Sequence, residues 1–280
     1  MTSQIPQVPD GPHLSPPFIV IPGVFNCRPV PLPYSGKPWL LRSGDISRLT
    51  PAGVLELENL HVKTIFDFRS PSDVVKFKSP VKHIPGIQTV KAPLDLDTRF
   101  ETVDEVKGGG FGQYESDYMR ENLERLTADE AGTWVQWYHK YLTSGKDGIG
   151  AVLRRILERK GDDAILFHCS AGKDRTGVMT ALALLLAGTE DETIIEDYAM
   201  TTVGLAPYKY IIATMFQDNE AVRANPLGAE RLLGSSPNTM RAFIQHIRDT
   251  WGGAEGYLRD VQGFNEDEIE DLKKVLKGTS

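Results

Sequence analysis

The 280-residue chain carries only two cysteines, Cys27 and Cys169, too few for a disulfide framework to hold it together. It has no basic tract: 31 Lys and Arg stand against 38 Asp and Glu, for a net charge of -7. That balance argues against nucleic acid as the main partner, although an acidic protein can still take an anion if positive potential is confined to its cleft. The longest strongly apolar run, roughly residues 178–187, is far short of the ~20 residues that cross a bilayer. No charged segment followed by an apolar one opens the chain, so no secretory signal is expected. No internal repeat is visible. What remains is an ordinary globular composition, 40% hydrophobic and 25% charged, long enough for one large or two small domains with a sizeable core.

Residues 164–177 organise the chain. They read Ala-Ile-Leu-Phe-His-Cys-Ser-Ala-Gly-Lys-Asp-Arg-Thr-Gly, an apolar strand, a tight loop and a helix expected to begin at Thr176. Cys169 sits where the strand ends and Arg175 where the helix opens, with five residues between them. Backbone N–H groups of a loop running into a helix N-terminus form a concave anion site, and the helix dipole favours negative charge there. The same field favours a thiolate over a thiol. Arg175 can fork two donors onto two phosphate oxygens, and the small residues Ser170, Ala171 and Gly172 let the backbone close around the anion. A buried core cysteine before an ordinary turn is the plainer reading, but seven successive positions here suit one task, phosphoryl transfer through a cysteine.

The remaining pattern predicts an α/β fold: a mainly parallel central sheet with flanking helices and the Cys169 loop at its C-terminal edge. Residues 1–17, with five prolines, read as a flexible arm, and residues 18–280 as a single domain. A hairpin over 18–42 turns near Ser35-Gly36. Thr50-Pro51 starts a helix with Val54, Leu55, Leu57 and Leu60 on its apolar side. Strands are expected at 61–68 and 88–93, with Ser70-Pro71 capping a short helix between them. A helical, aromatic-rich stretch spans 114–142, an amphipathic helix 149–160, and a buried helix 176–187 that ends at Gly188. Thr189 and Glu192 suggest a capping box for a helix over 191–198. Ser236-Pro237 opens another helix, and 265–268 leads into a last one ending near Lys277-Gly278. Two regions, 95–145 with its Gly108-Gly109-Gly110 run and 204–235, read as loop or helical lid insertions.

His168-Cys169-(five residues)-Arg175-Thr176 resembles the signature loop of the protein tyrosine phosphatase superfamily, and the inner Ala-Gly-Lys-Asp-Arg-Thr resembles the atypical bacterial-type subgroup with broad specificity. The likeness extends to Asn26-Cys27-Arg28, to 41–49 from Leu41-Arg42 onward, to Asp67-Phe68-Arg69-Ser70, and to the tail, with Asp73 where the family carries Glu. It runs from about Gly23 to Lys277 and is weakest at 95–145 and 204–235. Cys27 replaces an aromatic of the family motif and reads as packing.

The resemblance implies Cys169 as nucleophile, Arg175 and the loop residues Ser170, Ala171, Gly172 and Lys173 as phosphate binders, and Thr176 as a hydroxyl beside the sulfur. His168 would orient the loop. No metal and no cofactor are implied. Related phosphatases take their acid from a separate loop some thirty residues before the cysteine, but residues 132–145 hold no Asp or Glu. Asp174 fills that role, with Asp67 in reserve and Asp95 or Asp97 a distant third; Asp67 and Arg69 read equally well as an ion-paired strand end. Lys173 resembles the lysine of lipid phosphatase loops, and reads alternatively as a solvated charge on the rim. The implied substrates are phosphorylated proteins, phosphotyrosine first and phosphoserine or phosphothreonine after it, with phosphoinositides and a transient membrane-surface contact as the alternative. A rhodanese-like sulfurtransferase and a phospho-ligand binder without turnover are more distant readings. A working thiolate needs a reducing compartment, which favours the cytoplasm; oligomeric state is left open.

Overall fold

Strand β5 (Ala164–His168) is buried at every position, as a run of five residues with no polar alternation requires when both faces of a sheet are covered. In the computed structural model, which describes residues 14–33, 36–94, 111–208 and 219–279, β5 is the middle of a five-stranded sheet. The order is β1-β2-β5-β3-β4, with β1 (Arg28–Pro29), β2 (Leu40–Ser43), β3 (Val62–Asp67) and β4 (Gln88–Lys91). All neighbours are parallel except β1, which runs antiparallel to β2. The predicted α/β class and mainly parallel sheet are therefore present, and β1 with β2 forms the expected hairpin.

The register decides where chemistry can sit. Ser43 of β2 and Asp67 of β3 both pair with His168 of β5, so three strands end at one level and the chains leaving them, at Gly44, Cys169 and Phe68, share one crevice. In open α/β sheets that C-terminal edge is where ligands bind. The antiparallel pairing of β1 with β2 sets Arg28 opposite Arg42.

Local signals account for most helices. In α1 (Pro51–Asn59) the Thr50 side chain accepts from the Gly53 N–H behind a proline at the first position; Leu55, expected on the apolar side, is instead 59% exposed. In α2 (Pro71–Lys76) Ser70 and Asp73 form a reciprocal capping box. The helical stretch expected over 114–142 is two helices, α3 (Phe111–Ala128) and α4 (Glu130–Ser144), because Asp129 turns extended and caps the Gly132 N–H. Helix α5 (Lys146–Leu157) begins and ends three residues earlier than its pattern implied, with Ile149, Val152, Leu153 and Ile156 buried.

The central helix α6 (Asp174–Leu186) starts at Asp174 and not at Thr176. Behind it, Gly188 is left-handed (φ 73), and the N–H groups of Gly188 and Thr189 return to the carbonyls of Leu185 and Leu184. This closure of α6 draws Thr189 away from the capping box predicted for α7 (Asp191–Leu205). Glu190 takes the cap position without a side-chain bond, and the Thr189 hydroxyl is buried without a partner. The chain continues through α8 (Glu220–Ala224), α9 (Pro226–Leu233), α10 (Pro237–Trp251), α11 (Ala254–Tyr257), a π turn at Leu258–Gln262 and α12 (Glu266–Lys277). The last is bounded by the Asn265–Glu268 capping box and left-handed Gly278.

One apolar cluster joins the sheet to α5, α6, α7, α10 and α12, while Met119 and Leu123 of α3 gather with Ala221 and Ala229 into a second, smaller one. The second cluster belongs to the two regions read as lid insertions. Their residues 95–110 and 209–218, with Asp95, Asp97 and the triple glycine, lie outside the described residues, as do residues 1–13 of the proline-rich arm and Ser35 of the predicted turn. Among the described residues no helix is long and apolar enough to cross a membrane.

Cys27 sits in the main core, 1% exposed, and burial pushes its thiol from 9.0 to about 12 despite the opposing charge of Arg28. The unfolded chain ionises this thiol first, so its contribution to stability is complete below pH 9 and is lost as pH rises toward 12. At pH 10.5 the loss should reach about 2 kcal/mol. Urea titrations at pH 8 and pH 10.5 should show a fall for the wild type larger by that amount than for Cys27→Ala, whose turnover should stay within about threefold of wild type, below 1 kcal/mol in barrier terms.

Candidate active site

The loop after β5 is shaped from behind. The Asp45 N–H donates to the Ser170 carbonyl at 3.0 Å and the Phe68 N–H to the His168 carbonyl at 2.9 Å. Asn26 Nδ2 donates to the carbonyls of Ala171 and Gly172 at 3.1 and 3.2 Å, and Arg42 Nη2 to that of Gly172 at 2.8 Å. Four carbonyls, those of His168 and of the three successive residues 170–172, are thus claimed by β1, β2 and β3 or the segments that flank them. The N–H groups are not: among the described residues, no hydrogen bond takes Ser170, Ala171, Gly172 or Lys173 N–H as its donor. The Ser170 and Thr176 hydroxyls are also buried without partners. Buried donors rarely stay unpaired, and a run of them at a helix N-terminus is an anion site. Gly172 is required for this shape: its φ is +69, and a Cβ there would lie 2.4 Å from the Ser43 carbonyl oxygen.

The residues that hold the loop form a buried ionic network. Asp197 of α7 accepts from Arg28 Nε at 2.9 Å and from Arg42 Nη1, while Arg28 also reaches Asn26 Oδ1 at 2.5 Å and the Asp197 carbonyl at 2.7 Å. Both arginines are fully buried. Burial and the charge of Arg42 lower the Arg28 guanidinium to about 10, against the pull of Asp197. The motif likeness pointed to Asn26, Arg28 and Arg42; no sequence signal pointed to Asp197, which lies 155 residues from Arg42.

Cys169 is 2% exposed at the centre of the loop. Arg175, in the first turn of α6, ion-pairs with Asp73 and sends Nη1 to the Phe68 carbonyl at 3.3 Å. Burial opposes its charge, but Asp73 and Cys169 outweigh burial and raise it well above the usual range. Asp73 is held low in turn: burial would raise it, and Arg175 together with the Ser70 N–H and hydroxyl prevails. The α2 capping box and the arginine mount are therefore one unit.

Asp67 lies apart from the acid role held in reserve for it. Arg69 forks onto both of its oxygens at 2.8 and 2.7 Å, and the Arg69 N–H adds a third bond at 3.0 Å. His168 Nε2 stands 3.8 Å away. Burial would raise the carboxyl, and His168 and Arg69 hold it below the usual range. Arg69 continues to Asp45 at 2.7 Å and to Ser79 at 2.9 Å. The pair is the ion-paired strand end, bracing β3 against the segment after β2. His168, fully buried with its pKa lowered chiefly by burial, is oriented by a 3.3 Å contact to the Cys169 carbonyl.

Asp174 differs. Its carboxyl is 20% exposed, and Oδ1 accepts from the Tyr138 hydroxyl at 2.7 Å. Lys173 is not a rim charge. It is 2% exposed, donates to the carbonyls of Leu232 and Gly234 at the end of α9, lies 4.2 Å over the Trp134 ring and stands 3.6 Å from Asp174 Oδ1. Burial lowers its pKa against the pull of Asp174. The sequence placed Tyr138 and Trp134 in the core, which they are, without the polar contacts they also make.

If Asp197 is what permits Arg28 and Arg42 to be buried, Asp197→Asn should cost about 3–5 kcal/mol, the usual penalty for stranding buried charge. Vanadate affinity should fall at least tenfold, about 1.4 kcal/mol, as the loop loses its backing. Chemical denaturation and vanadate titration of the variant check this; a loss under 1 kcal/mol with unchanged affinity would mean that the loop keeps its shape unaided.

The geometry can be set beside known proteins. A profile of the tyrosine phosphatase family matches residues 34–278. The chain is 27% identical to the triple specificity protein phosphatase PtpB of Mycobacterium tuberculosis, over 92% of this chain and 98% of that protein. It is 28% identical to a tyrosine-protein phosphatase of Nostoc commune, over 89% of this chain and 77% of the relative. With the cysteine, the arginine and the donor-lined loop in one crevice, and a family match spanning most of its length, the chain belongs to the tyrosine phosphatase family.

Proposed function

We propose that this phosphatase works through a phosphocysteine on Cys169, and that the donor-lined loop is the observation carrying the mechanism. Cys169 Sγ attacks phosphorus in line, forming the S–P bond as the P–O bond to the leaving group breaks. The free N–H groups of residues 170–173 and the Arg175 guanidinium, once it turns from Asp73 toward the anion, hold the equatorial oxygens as charge redistributes. Asp174 gives its proton to the departing oxygen. In the second step water attacks phosphorus, its proton passes to Asp174, and the S–P bond breaks to release phosphate. The partnerless Thr176 hydroxyl is suited to stabilising the sulfur as it leaves.

Protein phosphotyrosine is the first substrate class, with phosphoserine and phosphothreonine after it, and the likeness to a triple specificity protein phosphatase of Mycobacterium supports a cleft of broad specificity. The phosphoinositide alternative rested on Lys173 and on the lack of a lid Asp or Glu over 132–145; the Lys173 ammonium is held by Leu232 and Gly234, so that feature no longer favours it. The unit of α3, α8 and α9 is read as cover for the cleft within a single domain over 18–280, and a cytoplasmic, reducing setting suits the thiolate. A panel of phosphopeptides and phosphoinositides tests the order of preference: faster turnover of the lipids would reverse it.

Cys169→Ser should abolish turnover yet retain vanadate binding, because the cradle does not depend on the sulfur; near-normal activity would place the nucleophile elsewhere. Asp174→Asn should reduce phosphotyrosine turnover by about 10²–10⁴-fold while p-nitrophenyl phosphate, whose leaving group departs without a proton, loses about tenfold or less. Steady-state rates across phenyl phosphates of graded acidity measure this slope, and a flat response would remove Asp174 from the role.

A further inference from the structure

We infer that Tyr138 is a positioning residue for Asp174, with Tyr198 behind it setting the direction of the hydrogen bond. The inference rests on Asp174 being the acid. Tyr138 is fully buried on α4, and its hydroxyl lies 2.7 Å from Asp174 Oδ1 and 2.7 Å from the Tyr198 hydroxyl. A phenol has one proton to donate. Oδ1 accepts the Tyr138 O–H hydrogen bond, so Tyr198 must donate to the Tyr138 oxygen. The chain therefore has one polarity, running Tyr198 to Tyr138 to Asp174. Burial first, and then the nearby Asp174 charge, raises both phenols well above 10, so neither gives up its proton.

The second donor near Asp174 addresses the same atom: Lys173 Nζ is 3.6 Å from Oδ1. Oδ1 is thus the pinned oxygen, and Oδ2 is left to carry the exchangeable proton. A carboxyl held by one oxygen keeps a single rotamer, which is the condition for delivering a proton within reach of a leaving group. The tyrosines are themselves fixed. Tyr138 packs edge-on against Phe243 with centroids 5.2 Å apart and lies 5.5 Å from Trp134. Tyr198 lies against Gly177, where a Cβ would come 3.1 Å from its ring. These rings come from helices 36 and 60 residues distant from their partners, so the arrangement exists only in the folded chain.

Tyr138→Phe removes the hydroxyl and keeps the ring. The expected result is a loss of about tenfold in kcat/KM for phosphotyrosine, the scale of one hydrogen bond to a charged group, a change within about threefold for p-nitrophenyl phosphate, and an unchanged KM. Placed on Asp174→Asn, the substitution should cause no further loss, since residues acting through one another are not additive. Tyr198→Phe should show the same signature more weakly, and serves as the test if Tyr138→Phe melts far below the wild type. Equal losses for all leaving groups, or a full loss repeated in the Asp174→Asn background, would overturn the role and reduce Tyr138 to packing. If Asp174→Asn alone shows no dependence on leaving-group acidity, the acid assignment fails and the positioning role falls with it; a sloped Asp174→Asn response beside a flat Tyr138→Phe response rejects Tyr138 alone.

Discussion

Asp197 pairs with both of the buried arginines behind the Cys169 loop, and the shape of the loop depends on it. Two guanidinium groups in a protein interior are untenable without a counter-charge. With Asp197 between them, Arg28 and Arg42 can lie fully buried and offer their remaining donors to Asn26 and to the Gly172 carbonyl. Those bonds draw the loop carbonyls backward and leave the N–H groups to the crevice. A chain with a net charge of -7 thereby keeps a donor-rich hollow at the edge of its sheet.

The carboxylates around the crevice have separate tasks, and their surroundings assign them. Asp67 meets a two-pronged arginine and a backbone N–H, and Asp73 meets an arginine and a helix cap. Charge-assisted pairs of that kind fix geometry and suppress proton exchange. Asp174 meets one phenol, a lysine at longer range and some solvent. Of the three, Asp174 alone is not locked in a fork or a cap, which is why the acid role is proposed for it.

The loop is also joined to the helices outside the sheet. Lys173 places its ammonium on carbonyls at the C-terminal end of α9, where a helix leaves acceptors unsatisfied and its dipole favours a cation. Trp134 covers the same ammonium from α4 and donates to the Arg231 carbonyl of α9 at 3.4 Å. Any displacement of α9 is felt at Lys173, the neighbour of Asp174.

By itself the sequence determined what depends on neighbours along the chain. The apolar run of β5, the spacing of Cys169 and Arg175, the Ser70 cap and Pro71 that open α2, and the Asn265 cap of α12 all act within a few residues, and each stands where its pattern placed it. The candidate site was legible for the same reason, since Cys169, the N–H donors of residues 170–173, Asp174 and Arg175 lie within seven positions. Only the tertiary structure decided which ionisable groups are braces and which are free to react. The fork on Asp67 needs Arg69 beside it and Ser79 and Asp45 beyond. The burial of Lys173 needs α9, the Tyr138 bond to Asp174 needs α4 laid against α6, and the backing of the loop needs Asp197 from α7. Residue type and spacing specify what a side chain is able to do; its desolvation and its partners, which arrive from distant parts of the chain, select what it does.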